Sequence, residues 1–120
     1  MPPMFQPFPI AAAAAVLHLL IGLAGLLIPA RVAAEISLQP LGKLGLSEIR
    51  ATFGGIFLGL GVAMLLLNTA DTYAVVAAGW FGAAIARAIS IVVDREPHPK
   101  NFGGLILEAG VGAMLFSAKL

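Results

Sequence analysis

The sequence predicts an all-α protein, an antiparallel four-helix transmembrane bundle. Three observations lead there. The chain of 120 residues is 60% hydrophobic and only 11% charged, against about 45–50% apolar and about 25% charged in an ordinary soluble domain. Its apolar residues fall into four runs, each close to the roughly 20 residues that cross about 30 Å of hydrocarbon. Three stretches separate those runs, two of them containing proline and the third a short polar turn. So short a chain cannot hide this much apolar surface from water. In lipid its backbone groups must be bonded within each segment, which a helix achieves and an open sheet does not.

The first run extends from Ile10 to Ile28, interrupted only by His18, and stops at Pro29. It exceeds the apolar region of a signal peptide, and no Lys or Arg precedes Arg31, so it is expected to remain as a span. The longest connection follows, from Pro29 to Ser47, with Arg31, Glu35, Pro40, Gly42, Lys43 and Gly45. Val32, Ile36 and Leu38 are spaced for a short interfacial helix, and an irregular loop on the headgroups is the alternative. The second span covers about 49–67. A polar turn, Asn68 to Thr72, makes the third span, Tyr73 to Val93, its antiparallel neighbour. Asp94 to Asn101 holds Pro97 and Pro99 and reads as a loop. The fourth span covers about 102–118. No repeat or second domain is evident, so residues 1–120 read as a single integral membrane domain.

Composition also excludes functions. A net charge of +1 offers no field for nucleic acid. Without cysteine there is no thiolate nucleophile, redox pair or Cys-ligated metal. His18 and His98 are the only histidines and form no paired site, so neither a metal nor a cofactor is expected. No Ser/His/Asp order or phosphate loop stands out, and the chain is not expected to be an enzyme. Arg31, Lys43, Arg50, Arg95 and Lys100 share one side of the four-span arrangement, against Lys119 on the other. The positive-inside rule then puts the two long connections in the cytoplasm and both termini outside, in a bacterial inner membrane.

The charged residues inside the runs are the most informative. Glu48 and Arg50 open the second span. Arg87 lies about six residues before the end of the third and Glu108 about six residues into the fourth, both about 9–10 Å from the same interface. A lone Arg at mid-helix costs about 2.5–3.5 kcal/mol on insertion scales, and pairing Arg87 with Glu108 would offset much of it. Ser90 and Asp94 follow Arg87 along one helix face. Glu48, Arg50, Arg87, Ser90, Asp94 and Glu108 thus form a candidate intramembrane polar network. It serves either as an ion network that fixes helix packing or as a polar site for a proton, an anion or a headgroup. His18, deeper in the first span, is either a hydrogen-bonded packing residue or a relay to that layer. Small residues mark contact faces: Gly55 and Gly59 continue the Glu48 stripe as a GxxxG, and Gly104 and Gly112 flank Glu108. The Glu48–Gly55–Gly59 stripe is expected to be a helix contact within the monomer.

The string Ser47 to Gly61, with Glu48-Ile49-Arg50-Ala51-Thr52-Phe53-Gly54-Gly55 at its centre, resembles the hallmark of a bacterial family of unknown function. Its members are small four-helix membrane proteins with an E-[IL]-R-A-x-[YF]-G-G pattern on the second helix. Arg87, Ser90, Asp94 and Pro97 are similar to its second motif, R-x-x-S-x-x-x-D-x-x-P, and Glu108 stands where the family places a Glu. The resemblance covers spans two to four by motif and span one by hydropathy. It implies the four-helix fold and marks Glu48, Arg50, Arg87, Ser90, Asp94 and Glu108 as signature positions. It implies no activity, because the family has none assigned. A more distant similarity to the DoxX-like group, which includes partners of membrane oxidoreductases, is one of fold.

The functional expectation is an accessory or assembling subunit of the inner membrane. Its partners would be the lipid bilayer and either further copies of itself or a larger membrane complex. The alternative is a transporter or binder of a small hydrophobic or anionic ligand, such as a lipid or quinone, at the Arg87–Glu108 site.

Overall fold

The computed structural model describes residues 7–120; residues 1–6, the start of the N-terminus in the expected orientation, lie outside them. The described residues form five helices and no strand. These are α1 (Pro9–Leu27), α2 (Pro29–Glu35), α3 (Gly42–Leu67), α4 (Ala70–Val93) and α5 (Pro99–Phe116), followed by a 3-10 turn at Ser117–Lys119. Four helical segments, of 19, 26, 24 and 21 residues, are long and apolar enough to cross a membrane. The connection after α1 contains a short helix, α2. It starts at Pro29, whose missing N–H and fixed φ suit the first helical position.

Three boundaries differ from those expected, each for a local reason. Helix α3 starts at Gly42 rather than near residue 49. The mixed stretch Gly42–Ser47, with two glycines and two leucines beside Lys43 and Ser47, is helical, and the helix ends only where Gly42 takes a φ of 58°. Helix α4 begins at Ala70 because the Thr69 side chain accepts a hydrogen bond from the Thr72 backbone N–H at 3.2 Å. Helix α5 begins at Pro99, with the His98 imidazole Nδ1 accepting from the Lys100 N–H at 3.0 Å. Lys100 and Asn101 are therefore helical, not loop.

The chain sorts into two compact units. One comprises Ala15–Leu66, with most of α1, all of α2 and nearly all of α3. The other comprises Leu67–Leu120 together with the N-terminal stretch as far as Ala14.

In the Ala15–Leu66 unit α1 and α3 run antiparallel and meet backbone to backbone. A Cβ on Gly25 would lie 2.5 Å from the Phe53 carbonyl carbon and oxygen, and one on Gly22 2.7 Å from the Leu58 nitrogen. From the other side, a Cβ on Gly54 would lie 3.0 Å from the Leu26 nitrogen, and one on Gly61 3.0 Å from the Ala15 carbonyl oxygen. Glycine is required at such a crossing because any side chain would hold the backbones apart. Helix α3 reaches this geometry through a π-helical segment, Arg50–Ile56. Ile49 and Gly54 are both buried although five residues apart. In an α-helix that spacing would separate them by about 140° around the axis; the wider π turn carries both inward.

In the Leu67–Leu120 unit α4 and α5 form an antiparallel hairpin joined near both ends. Lys119 Nζ donates to Asp71 Oδ1 at 2.5 Å at one end, and Arg87 meets Glu108 towards the other. Between them Phe81 lies against Gly112, where a Cβ would be 2.7 Å from the ring. The same ring meets Phe116 edge-on at 6.4 Å. Tyr73, fully buried, donates its hydroxyl to Asn68 Oδ1 at 3.0 Å and takes Phe8 on its edge at 5.8 Å.

Candidate functional site

The polar centre of the α4–α5 hairpin is built from four residues. Arg87 lies about two turns before the end of α4, with its side chain turned to α5. Its Nε donates to Glu108 Oε1 at 2.5 Å and its Nη2 to Glu108 Oε2 at 3.1 Å. This is a two-pronged fork, the strongest arrangement available to a guanidinium and a carboxylate. Nη1 donates to Asn101 Oδ1 at 3.1 Å. Asn101 in turn donates Nδ2 to the Glu96 backbone oxygen at 3.1 Å, so the loop after α4 is tied to the ion pair.

Gly104 is the floor of this site. A Cβ there would lie 2.8 Å from both Cζ and Nε of Arg87, so the guanidinium rests against bare α5 backbone. Glu108, two turns from the first residues of α5, is buried, with 11% of its side chain exposed against 37% for Arg87. The carboxylate therefore has both oxygens engaged in a sheltered position, while one edge of the arginine remains open. Chemically the arrangement is a neutral clasp: opposite charges cancel and both prongs of the acid are occupied.

The other nominated residues fall elsewhere. Ser90 donates its hydroxyl to Asp94 Oδ2 at 3.1 Å on the exposed surface of the last turn of α4, next to Arg95, whose φ of 49° ends the helix. This pair closes the helix end and makes no bond to Arg87. Glu48 and Arg50 belong to the Ala15–Leu66 unit. Arg50 Nε donates to the Leu26 carbonyl at 3.3 Å, in the last turn of α1, where Pro29 interrupts the backbone ladder; it caps that helix end. Glu48 is exposed and makes no side-chain hydrogen bond or ion pair among the described residues. His18 is buried, its ring stacked on Phe57 at 5.4 Å, with Phe57 in turn stacked on Phe53 at 6.0 Å.

The expected packing role of Gly55 and Gly59 is corrected. A Cβ on Gly59 would meet nothing within 4 Å, and one on Gly55 only the Arg50 oxygen of its own helix at 3.9 Å. The π turn is the reason. It rotates the part of α3 beyond it, so the glycines turned to α1 are Gly54 and Gly61, while Gly55 and Gly59 are turned away from α1. Gly104 and Gly112 do face side chains of α4.

Sequence reasoning missed Asn101, assigned to a loop, and the four glycines of the α1–α3 crossing, Gly22, Gly25, Gly54 and Gly61. The string from Arg50 to Gly55 coincides with most of the π segment, so this motif encodes the crossing and the cap on α1.

No curated protein and no solved structure matches the chain. A family model does, over residues 10–118, nearly the whole length and both units just described. The chain belongs to the family described as a domain of unknown function, DUF4345.

Proposed function

We propose that this protein is an integral membrane protein of the bacterial inner membrane that acts as an accessory or assembling subunit, not as an enzyme. In this reading its four long helices form one antiparallel bundle with both termini outside the cytoplasm. The Arg87–Glu108 fork is its internal clasp. Supporting the clasp is its charge balance: breaking such a pair leaves an uncompensated ion, at a cost of about 3–5 kcal/mol when fully buried.

The observation that carries the assembly reading is the pair Gly55 and Gly59, both turned away from α1. They lie one turn apart on an apolar helix that has a separate set of glycines for its own crossing. Towards lipid a glycine gains nothing from packing and weakens the helix. Towards a second helix it permits close approach, the main source of helix association in a bilayer. The occupant proposed is a membrane helix of another chain.

The chain has no cysteine, so Gly59→Cys is a unique probe. Oxidative cross-linking in native membranes should trap a second copy or one larger membrane protein at high yield. A Cys at Leu66, exposed further along α3, should give less. Equal, low yields at both positions would remove the assembly reading. Binding of a small ligand at Arg87 is a second reading, favoured by the part of its side chain that stays open.

A further inference from the structure

Arg87 carries five N–H donors, and three are engaged, on Glu108 Oε1, Glu108 Oε2 and Asn101 Oδ1. One hydrogen is left on Nη1 and one on Nη2, on a side chain that keeps 37% of its surface open. In water such donors would simply be hydrated. On the membrane-spanning reading above, on which this inference rests, they meet the bilayer. There an N–H without an acceptor is strongly disfavoured, so the lipid must supply an oxygen.

Charge and depth select which oxygen. Glu108 already balances the guanidinium, so a further anion would add an uncompensated negative charge where the dielectric is low. A neutral carbonyl oxygen adds none, and its two lone pairs suit two donors. Helix α4 has 24 residues, about 36 Å, which exceeds the hydrocarbon by about 6 Å. Centred, each end projects by about 3 Å. The Arg87 Cα lies about 9 Å inside the Val93 end, and its guanidinium lies between Asn101 in the first turn of α5 and Gly104 and Glu108 deeper along it. The guanidinium is thereby in the outer part of the hydrocarbon, nearer to the glycerol ester groups of phospholipids than to the phosphates beyond them. We infer that the free Nη1 and Nη2 hydrogens of Arg87 hold the ester carbonyl of a bound phospholipid, making the α4–α5 clasp a lipid site.

Ether-linked phospholipids of the same headgroup and chain length lack this carbonyl, which makes them the test. The full chain reconstituted in diester nanodiscs should melt several degrees higher than in diether nanodiscs. Arg87→Lys keeps a charge opposite Glu108 but loses the forked donors, and should lose that difference. Magnetic-resonance contacts between labelled arginine guanidinium and a labelled ester carbonyl should appear for the wild type and vanish in Arg87→Lys. Equal melting in both lipids with no such contact would overturn the inference, and so would a contact to headgroup phosphate in both. If Arg87→Lys fails to fold, the wild-type comparison and contact still decide. Failure of the wild type to insert in either bilayer would instead overturn the membrane-spanning reading itself.

Discussion

The α1–α3 crossing and the α4–α5 hairpin hold two helices together by different means. In the first, glycines let backbones touch, and the Arg50 side chain caps the end of α1. In the second, side chains fill the interface: Arg87 on Glu108 and Asn101, Phe81 on Gly112, Lys119 on Asp71. The two should fail differently. A glycine crossing has no tolerance for added volume, because its neighbours are backbone atoms that cannot rotate away. A polar clasp tolerates shape changes better than the loss of one charge.

The largest effect is expected from Gly25→Leu. Its Cβ alone would sit 2.5 Å from the Phe53 carbonyl, so α1 and α3 must separate. A loss of about 3 kcal/mol or more is expected, seen as a chain that no longer melts cooperatively in detergent. If Gly25→Leu melts normally, the crossing is not the seam described here.

Next comes Glu108→Ala, which strands Arg87. Partial exposure of the arginine lowers the loss to about 3 kcal/mol, the bottom of the range for buried pairs. The exchange Arg87→Glu with Glu108→Arg should recover part of it. Recovery stays incomplete because the flat floor at Gly104 serves an arginine projecting from α4. A double mutant no better than the worse single would count against a pairwise clasp. A smaller loss, about 1–2 kcal/mol, is expected for Asn101→Ala, which removes one bond to a charged group and unties the Glu96 loop. Proteolysis should then cut that loop faster while the helices stay intact; unchanged cleavage would mean that Asn101 does not hold it.

The same contrast explains what could be read from the sequence. Four apolar runs ended by Pro29, the Asn68–Thr72 turn and the Pro97–Pro99 segment give four long helices, because length and hydropathy are local properties. Counting depth along two helices of opposite direction put Arg87 and Glu108 at one level, and opposite charges at one level in a hairpin meet. Helix starts were less legible. Gly42–Ser47 is helical without being apolar, and Thr69 and His98 act through caps that hydropathy does not register. The glycine crossing was misplaced because a constant turn of 3.6 residues was assumed for α3. A π segment breaks that count at Arg50–Ile56, and Glu48, the sequence's marker of the inward face, is itself exposed. Asn101 could not be nominated, since its role depends on where the Glu96 carbonyl and Arg87 lie after the hairpin closes.

The claim that α3 has an inner glycine face for its own fold and an outer one for a partner is tested most directly by two substitutions, two residues apart. A Cβ on Gly61 would lie 2.8 Å from Leu19 and 3.0 Å from the Ala15 oxygen; one on Gly59 would touch nothing. Gly61→Leu and Gly59→Leu should be compared by monomer melting temperature and by the mass of the complex extracted from native membranes. Gly61→Leu should lower the melting temperature sharply. Gly59→Leu should leave it within the range of a surface change, about 0.5 kcal/mol, while the extracted complex falls to the mass of the monomer. A destabilised Gly59→Leu monomer, or a complex that survives the substitution, would contradict the account.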